Sequence, residues 1–499
     1  MRRAVPAVAA ACLLAGPAAL AFFSGGFFAE PQIIAAIVAW SLVLALAAAG
    51  PAPLPGSRAG RLAVAGLVLL TAWSAISIAW APLAGAAVHD VERLVLYVGA
   101  ALVAVGTLRN GAAMRLVEPG VAAGAAIVIG YGLAGRLLPD IVELARSQSA
   151  GGRLEQPITY WNAEGALAAM GFIVCARLAG DAARPIAVRV MAAAAAPALA
   201  AGVYLTYSRG AIAVAVLGLL VLLVLGPSRA QLAAVALAGA TGVAAAAWSA
   251  AFPGVAALEG SHPARDGLVV LAGLLALAAI AALLTHRRGR VAEQAPPSWS
   301  RRLRPASLAA IACVTLGLAV GGLTERPDAG DPASGAKPER LTSVSSNRYE
   351  YWRVGLEAFG RNPIAGVGSG GFRVVWLQER TISEGVTNAH SLEVETAAEL
   401  GLLGLLALAL LVGGVIAAAR TALARNAAAA AGPSAALLAW FLHASIDWDW
   451  QLPAVTLPAI ALAGALVALS ERPPPAAGDP RPADRQTGAS APALSGAGP

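Results

Sequence analysis

Ser346-Asn347-Arg348-Tyr349-Glu350-Tyr351-Trp352-Arg353, Asn362-Pro363-Ile364-Ala365-Gly366-Val367-Gly368-Ser369-Gly370-Gly371-Phe372, Thr387-Asn388-Ala389-His390-Ser391 and Glu399-Leu400-Gly401-Leu402-Leu403-Gly404 are four pieces of one polar stretch that runs straight into an apolar helix. Nearly everything else in the chain reads as membrane span. A single polar loop of this size between spans, rich in Arg, His and Gly, is where chemistry belongs.

The 499 residues are 58% hydrophobic and only 13% charged, against roughly 25% charged in soluble domains. Many apolar runs reach the roughly 20 residues a helix needs to cross the hydrocarbon core. The fold class is therefore all-α, a polytopic transmembrane helix bundle of about 12–14 spans with one large loop carrying short helices. The net charge of +7 does not point to nucleic acid. Most Arg residues sit in short loops between spans, where such charge orients helices in the bilayer. Cys12, Cys175 and Cys313 lie in apolar runs, so they pack, and no disulfide or metal framework follows. Met1-Arg2-Arg3 before an apolar run resembles a signal peptide, but the next run follows almost at once without a clear cleavage site. An uncleaved first span is the better reading.

Apolar runs between polar breaks place spans at 4–23, 32–50, 62–81, 92–108, 116–138, 163–179, 189–207, 210–226, 231–252, 267–285, 306–323, 399–419, 433–446 and 452–470. The domains follow: 1–323 a first bundle, 324–398 the loop, 399–470 the last spans, and 471–499 a Pro-, Ala- and Gly-rich disordered tail. The basic short loops hold Arg58/Arg61, Arg109/Arg115, Arg184/Arg189, Arg229, Arg287-Arg288-Gly289-Arg290 and Arg420/Arg425. Counting these as cytoplasmic puts both termini inside and the large loop outside an inner (plasma) membrane. The 139–162 loop and the turns at 207–210 and 446–451 then share the large loop's face.

Within the loop, a helix around 348–359 follows a cap at Ser345 or Ser346, with Tyr351, Trp352, Leu356 and Phe359 at helical spacing. An amphipathic helix lying on the membrane has the same pattern. Gly366, Gly368, Gly370 and Gly371 allow a backbone to approach a ligand and offer N–H groups to an anion, though such a run is more often a plain turn. His390 is flanked by Asn388 and Ser391 and followed by Glu393, Glu395 and Glu399; a solvated loop histidine is the bland alternative. Arg209 lies in Thr206-Tyr207-Ser208-Arg209-Gly210 between two apolar runs with almost no loop. An ionisable residue at that depth marks a functional pathway or a partner, or else snorkels to the interface. Two aromatic polar clusters, Arg153 to Gly165 and His443 to Pro453, fit an interfacial belt or a sugar-binding surface. His443 and Asp447 stand four apart, but no third residue has metal-ligand spacing.

Together these motifs resemble the bacterial O-antigen ligase and O-antigen polymerase superfamily. The Thr206–Gly210 turn, Arg348…Trp352, Asn362-Pro363…Gly371-Phe372, Ala389-His390-Ser391, Glu399…Gly404 and the His443…Pro453 segment carry the resemblance. Ser391 departs from the Asn usual after the histidine, and the usual bundle has about twelve spans. The resemblance implies a metal-independent membrane glycosyltransferase without a cofactor, fed by a glycan on polyprenyl diphosphate and passing it to a glycan, lipid or protein hydroxyl. It implies that Arg209 and Arg348 hold the diphosphate and that His390 acts as base or touches the leaving group. Arg153, Asn162, Arg353, Gly366, Gly368 and Asp447 are the further substrate-binding candidates. The main rival is a transporter or flippase for an anionic or lipid-linked solute. That class uses midplane sites and internal repeats, whereas this sequence has no fixed-period repeat and gathers its polar groups at one face. A structural partner in an envelope complex would need neither Arg209 nor His390.

Overall fold

The computed structural model describes residues 4–50, 53–259, 261–289, 335–337, 341 and 346–472. Among these the chain is helices and turns, with no strand. Eleven helices are long and apolar enough to span a membrane: α1 (Ala4–Ala21), α2 (Ala29–Ala49), α3 (Arg58–Ser77), α4 (Ala84–Leu108), α5 (Gly111–Leu137), α6 (Trp161–Gly180), α7 (Ile186–Leu205), α9 (Arg229–Ala250), α11 (Pro263–Arg288), α14 (Leu392–Ala444) and α15 (Pro453–Glu471). The apolar α8 (Arg209–Leu225) is shorter. One turn, α10 (Pro253–Ala256), and two loop helices, α12 (Arg348–Arg361) and α13 (Phe372–Glu379), complete the set.

The expected span at 306–323 lies outside the described residues. The other expected spans fall on these helices with shifted ends: the one expected at 92–108 begins at Ala84, and α14 starts at Leu392, ahead of residue 399. The connection expected at 420–432 between two spans is a tight one: the residues on both sides are helical, and the chain leaves helical geometry there only at Asn426, where it turns back, so the two expected spans are the two arms of α14, which is broken once more at Gly401. The Asn426 side chain accepts from Ala429 N at 3.0 Å, restarting the helix. The two arms then lie side by side. Leu392 packs with Leu408 and Ala444, and Ser445 Oγ donates to Glu393 Oε1 at 2.8 Å.

Helices α6, α15 and α4 form the centre, with 100%, 89% and 78% of their apolar windows buried, while α11 has 22% buried and faces outward. Alanine and glycine let helices approach closely, which compensates for the missing hydrophobic drive between helices in lipid. On the α3–α14 contact, a Cβ on Gly66 would stand 2.3 Å from Leu411 N, and one on Gly414 2.3 Å from Ala63 N. One end of the bundle is tied by Arg109–Glu471 at 3.0 Å and Arg184–Glu118 at 2.8 Å. The opposite end carries the polar loop.

The break at Gly401 explains two of the quoted motif pieces, 362–372 and 399–404, at once. Interrupting the helix frees the carbonyls of Ala398, Glu399 and Leu400, and lipid offers them no partner. Val367 N and Gly368 N donate to the first two at 2.9 and 2.8 Å, and Trp73 Nε1 donates to the third at 2.9 Å. In return, Leu402 N donates to Pro363 O at 2.8 Å. The fit requires glycine on both sides: Gly401 (φ 63°) and Gly366 (φ 69°) are left-handed, and their Cβ atoms would lie 2.4 Å from Ile364 O and 2.3 Å from Glu399 C.

Candidate active site at the polar end of the bundle

Asp447 is the hub. It sits in the turn after α14, is 0% exposed and accepts four bonds. Tyr160 Oη donates to Oδ1 at 2.7 Å, and Trp448 N donates to the same atom at 2.9 Å. Asn162 Nδ2 donates to Oδ2 at 2.8 Å, and Arg348 Nη2 donates to the same oxygen. The start of α6, the start of α12 and the end of α14 therefore converge on one carboxylate. Burial alone would raise its pKa, but the charges of Arg348, His390 and His443 prevail and hold it below the ordinary carboxylate value. Burial works against the Arg348 charge, yet Asp447 and the nearby tyrosines push its pKa above the usual arginine value. Burial, then the Asp447 charge, pushes the Tyr160 phenol well up, so it remains a hydroxyl donor.

Arg348 opens α12 after Asn347, which makes no side-chain cap; Ser346 Oγ instead accepts from Arg348 N at 3.3 Å. Ser345, the other expected cap, lies outside the described residues. Among the described residues only Nη2 of the Arg348 guanidinium donates a hydrogen bond, and the side chain is 24% exposed. A guanidinium has five N–H donors, so most remain for a ligand.

His390 sits beside this pair. Its backbone takes a left-handed φ of 52°, uncommon for a residue other than glycine. Several bonds hold it there. Ala389 N donates to Glu395 Oε2 at 3.1 Å, Asn388 Nδ2 to Gln451 Oε1 at 3.2 Å, and Gln451 Nε2 to Glu395 Oε1 at 2.5 Å. The ring packs on Tyr351 with centroids 5.0 Å apart. His390 Nδ1 lies 3.1 Å from Asn388 O. A carbonyl only accepts, so the bond places the proton on Nδ1 and leaves Nε2 with a free lone pair in the neutral ring. Burial lowers the His390 pKa, the Asp447 charge opposes this, and Arg348 adds to the lowering; the net direction is down. The ring is thus neutral at pH 7, as a base must be.

A second pair lies next to the hub. His443 Nδ1 is 3.0 Å from Asp449 Oδ2, and both are buried. His443 therefore pairs with Asp449, not with Asp447 as a shared helix face would suggest. The turn after α14 carries Asp449 back under the histidine. Burial raises the Asp449 pKa above the ordinary aspartate value. Arg209 follows Ser208, whose Oγ caps α8 by accepting from Ala211 N at 3.3 Å. Its neighbour Gly210 touches this pair: a Cβ there would stand 3.2 Å from His443 Nε2. Arg209, half-buried, borders the cluster on that side.

The remaining sequence candidates divide. Asn162 joins the hub. Arg153, buried, donates to Ala150 O at 2.6 Å and to Ser149 O at 2.7 Å, with its guanidinium 3.5 Å above the Trp161 ring. Arg353 turns away to Glu350 and Glu357, with bonds of 2.7–2.9 Å. Those bonds, first the Arg353 contact, draw the Glu350 carboxyl down to about 2. The glycine run does hold an acid side chain, but an internal one: Gly370 N and Phe372 N donate to the two Glu399 oxygens at 2.9 and 3.0 Å. Gly366 and Gly368 are packed against α14 and Ala81 rather than open to a ligand.

Sequence reasoning passed over Tyr160, Asp449, Glu395 and Gln451 as site residues. Tyr160 and Asp449 stood inside quoted clusters, but nothing local distinguishes a hub donor from an interfacial aromatic. Glu395 and Gln451 meet only because α14 folds back at Asn426.

Residues 192–409 match the family model described as O-antigen ligase. The matched stretch contains Arg209, Arg348, the glycine turns, His390 and the Gly401 break. No curated protein matches the chain.

Proposed function

The match supports placing the chain in the O-antigen ligase superfamily, and from that premise we propose that it transfers a glycan from polyprenyl diphosphate to an acceptor hydroxyl. The family implies a lipid-linked donor and an acceptor within a membrane. The finer reading is that the donor's diphosphate sits on Arg348, with Arg209 bordering the same site, on the extracytoplasmic face. His390 Nε2 takes the acceptor proton, and the freed oxygen attacks the anomeric carbon as the bond to diphosphate breaks. Two electrons leave with the diphosphate oxygen, and the guanidiniums stabilise the growing negative charge there. No metal is called for, because fixed cations supply that stabilisation.

One observation carries this reading: Arg348 is clamped by Asp447 through Nη2, keeps its other donors, and stands beside a neutral histidine whose Nδ1 is tied to a carbonyl. A fixed fork and a poised base are what diphosphate departure from a sugar requires. Asp447, Tyr160 and Asn162 are positioning residues, since they act through Arg348.

A discontinuous helix such as α14 is also a transporter feature. In transporters the broken backbone lines a cavity. Here the carbonyls freed around Gly401 are taken by Val367, Gly368 and Trp73, which favours the enzyme.

The test uses purified protein with a polyprenyl-diphosphate oligosaccharide and a panel of acceptors, following released polyprenyl diphosphate. Release that depends on acceptor and on His390 supports transfer. Substrate flux into liposomes without release moves the assignment to transport.

A further inference from the structure

The loop helix α12 presents two outer edges of opposite chemistry. Its inner face, with Tyr351, Val354 and Ala358, is buried in the core of the polar loop. One outer edge is charged: Arg353 pairs with Glu357 at 2.9 Å, and Arg361 with Glu379 at 2.6 Å. The other is apolar. Trp352, Leu356 and Phe359 follow one another at the steps that line one helix face. Leu356 is 54% exposed, and Trp352 and Phe359 are half-buried. Water penalises an apolar edge of this kind, and lipid does not.

The apolar edge leads into a surface that faces lipid. Ile364, just past the end of α12, is 66% exposed, and its backbone is fixed to α14. Leu403 N donates to Ile364 O at 3.4 Å, and Leu402 N to Pro363 O at 2.8 Å. On α14, which is apolar enough to span a membrane, Leu402, Leu403 and Leu406 are exposed. Trp80 and Leu83, exposed on the α3–α4 turn, mark the same height. Trp80 packs on Trp73 with centroids 5.5 Å apart, and Trp73 Nε1 donates to Leu400 O beside the Gly401 break. Exposed tryptophan at the end of a span is characteristic of the bilayer interface.

We propose that the Trp352–Leu356–Phe359 edge of α12, together with Ile364, is immersed in the lipid of the bilayer interface, with the Arg353–Glu357 edge turned to water. Arg348 opens this helix, and Trp352 Nε1 donates to His390 O at 3.4 Å. Immersion of the edge therefore holds both groups at headgroup height, where the phosphates of a lipid-linked molecule lie. That seat involves no catalytic step, so it stands apart from the transfer reading.

Spin labels test the seat without any substrate. Full-length protein with Cys12, Cys175 and Cys313 changed to alanine is labelled at Leu356→Cys, Ile364→Cys or Glu357→Cys and placed in phosphatidylcholine nanodiscs. Leu402→Cys serves as the lipid-facing reference. All four side chains are exposed, so the labels should leave the fold intact. Oxygen concentrates in hydrocarbon, and a nickel chelate stays in water. The ratio of oxygen to nickel relaxation at 356 and 364 should approach that at 402 and exceed that at 357 severalfold. A ratio at 356 no higher than that at 357 puts the edge in water and overturns the proposal. Low access to both reagents at 356 also overturns it, because a second copy or another part of the chain then covers the edge.

Discussion

The glycine turns at 366–372 and the Arg348–Asp447 cluster both come from motifs suited to holding an anion, and they end in opposite states. The glycine turns close on themselves: their N–H groups meet Ala398 O, Glu399 O and the Glu399 side-chain oxygens. The cluster fixes its arginine by one nitrogen and leaves the rest. The lesson concerns satisfaction rather than residue type. A polar group whose partners are internal holds the fold, and one held with donors to spare can serve a ligand.

Substitutions on the two sides should therefore fail differently. The largest effect is expected on the cluster side. His390→Ala should lower transfer by about 10²–10⁴-fold with an unchanged melting temperature, read by diphosphate release and thermal unfolding; full activity would remove His390 from the chemistry. Arg348→Ala should cost a comparable factor of about 10²–10³. Arg353→Ala, which breaks a partly exposed pair, should change transfer less than about threefold; equal losses at 348 and 353 would erase the distinction drawn between them.

On the glycine side, Gly366→Ala should destabilise by roughly 2–5 kcal/mol, because overpacking and a left-handed backbone add. Unfolding in detergent reports this, and a stable but inactive Gly366→Ala would place the turn in the site after all. pH separates the regions further. The His390 pKa lies below its ordinary 6.5, so transfer should hold at pH 7 and fall only on acidification beyond that value. A loss already complete at pH 7 would contradict a neutral base. Glu350 has a folded pKa of about 2, depressed from 4.5. Its contribution to stability is present above 4.5 and disappears as pH falls toward about 2, so amide protection around Thr381, which it holds at 3.0 Å, should weaken there. The smallest effect is Trp73→Phe, which leaves Leu400 O without its donor at about 1–3 kcal/mol; no measurable change would mean that water or the bilayer surface reaches the break.

The helical bundle, the loop helix at Arg348 and the gathering of polar segments at one end were legible in the sequence. Apolar run length and the spacing of Arg are local signals, and the bilayer makes helices the only solution for such runs. That 420–432 joins two apolar arms was legible; that the turn narrows to Asn426 with helix on both sides was not, since an alanine-rich helix and an alanine-rich loop look alike. Nor was the division between Arg348 and Arg353, which share one short helix.

Ser-Arg at a helix start marks the limit. Among the described residues it occurs at Ser57-Arg58, Ser208-Arg209 and Ser228-Arg229, and each serine caps its helix in the same way. The sequence determined those caps, because capping needs only a side-chain oxygen three residues before an orphan N–H. Which arginine meets the chemistry was decided by tertiary structure. Only Ser208-Arg209 adjoins His443, because the folded-back α14 and the α6 entry bring residues hundreds of positions apart around one buried carboxylate.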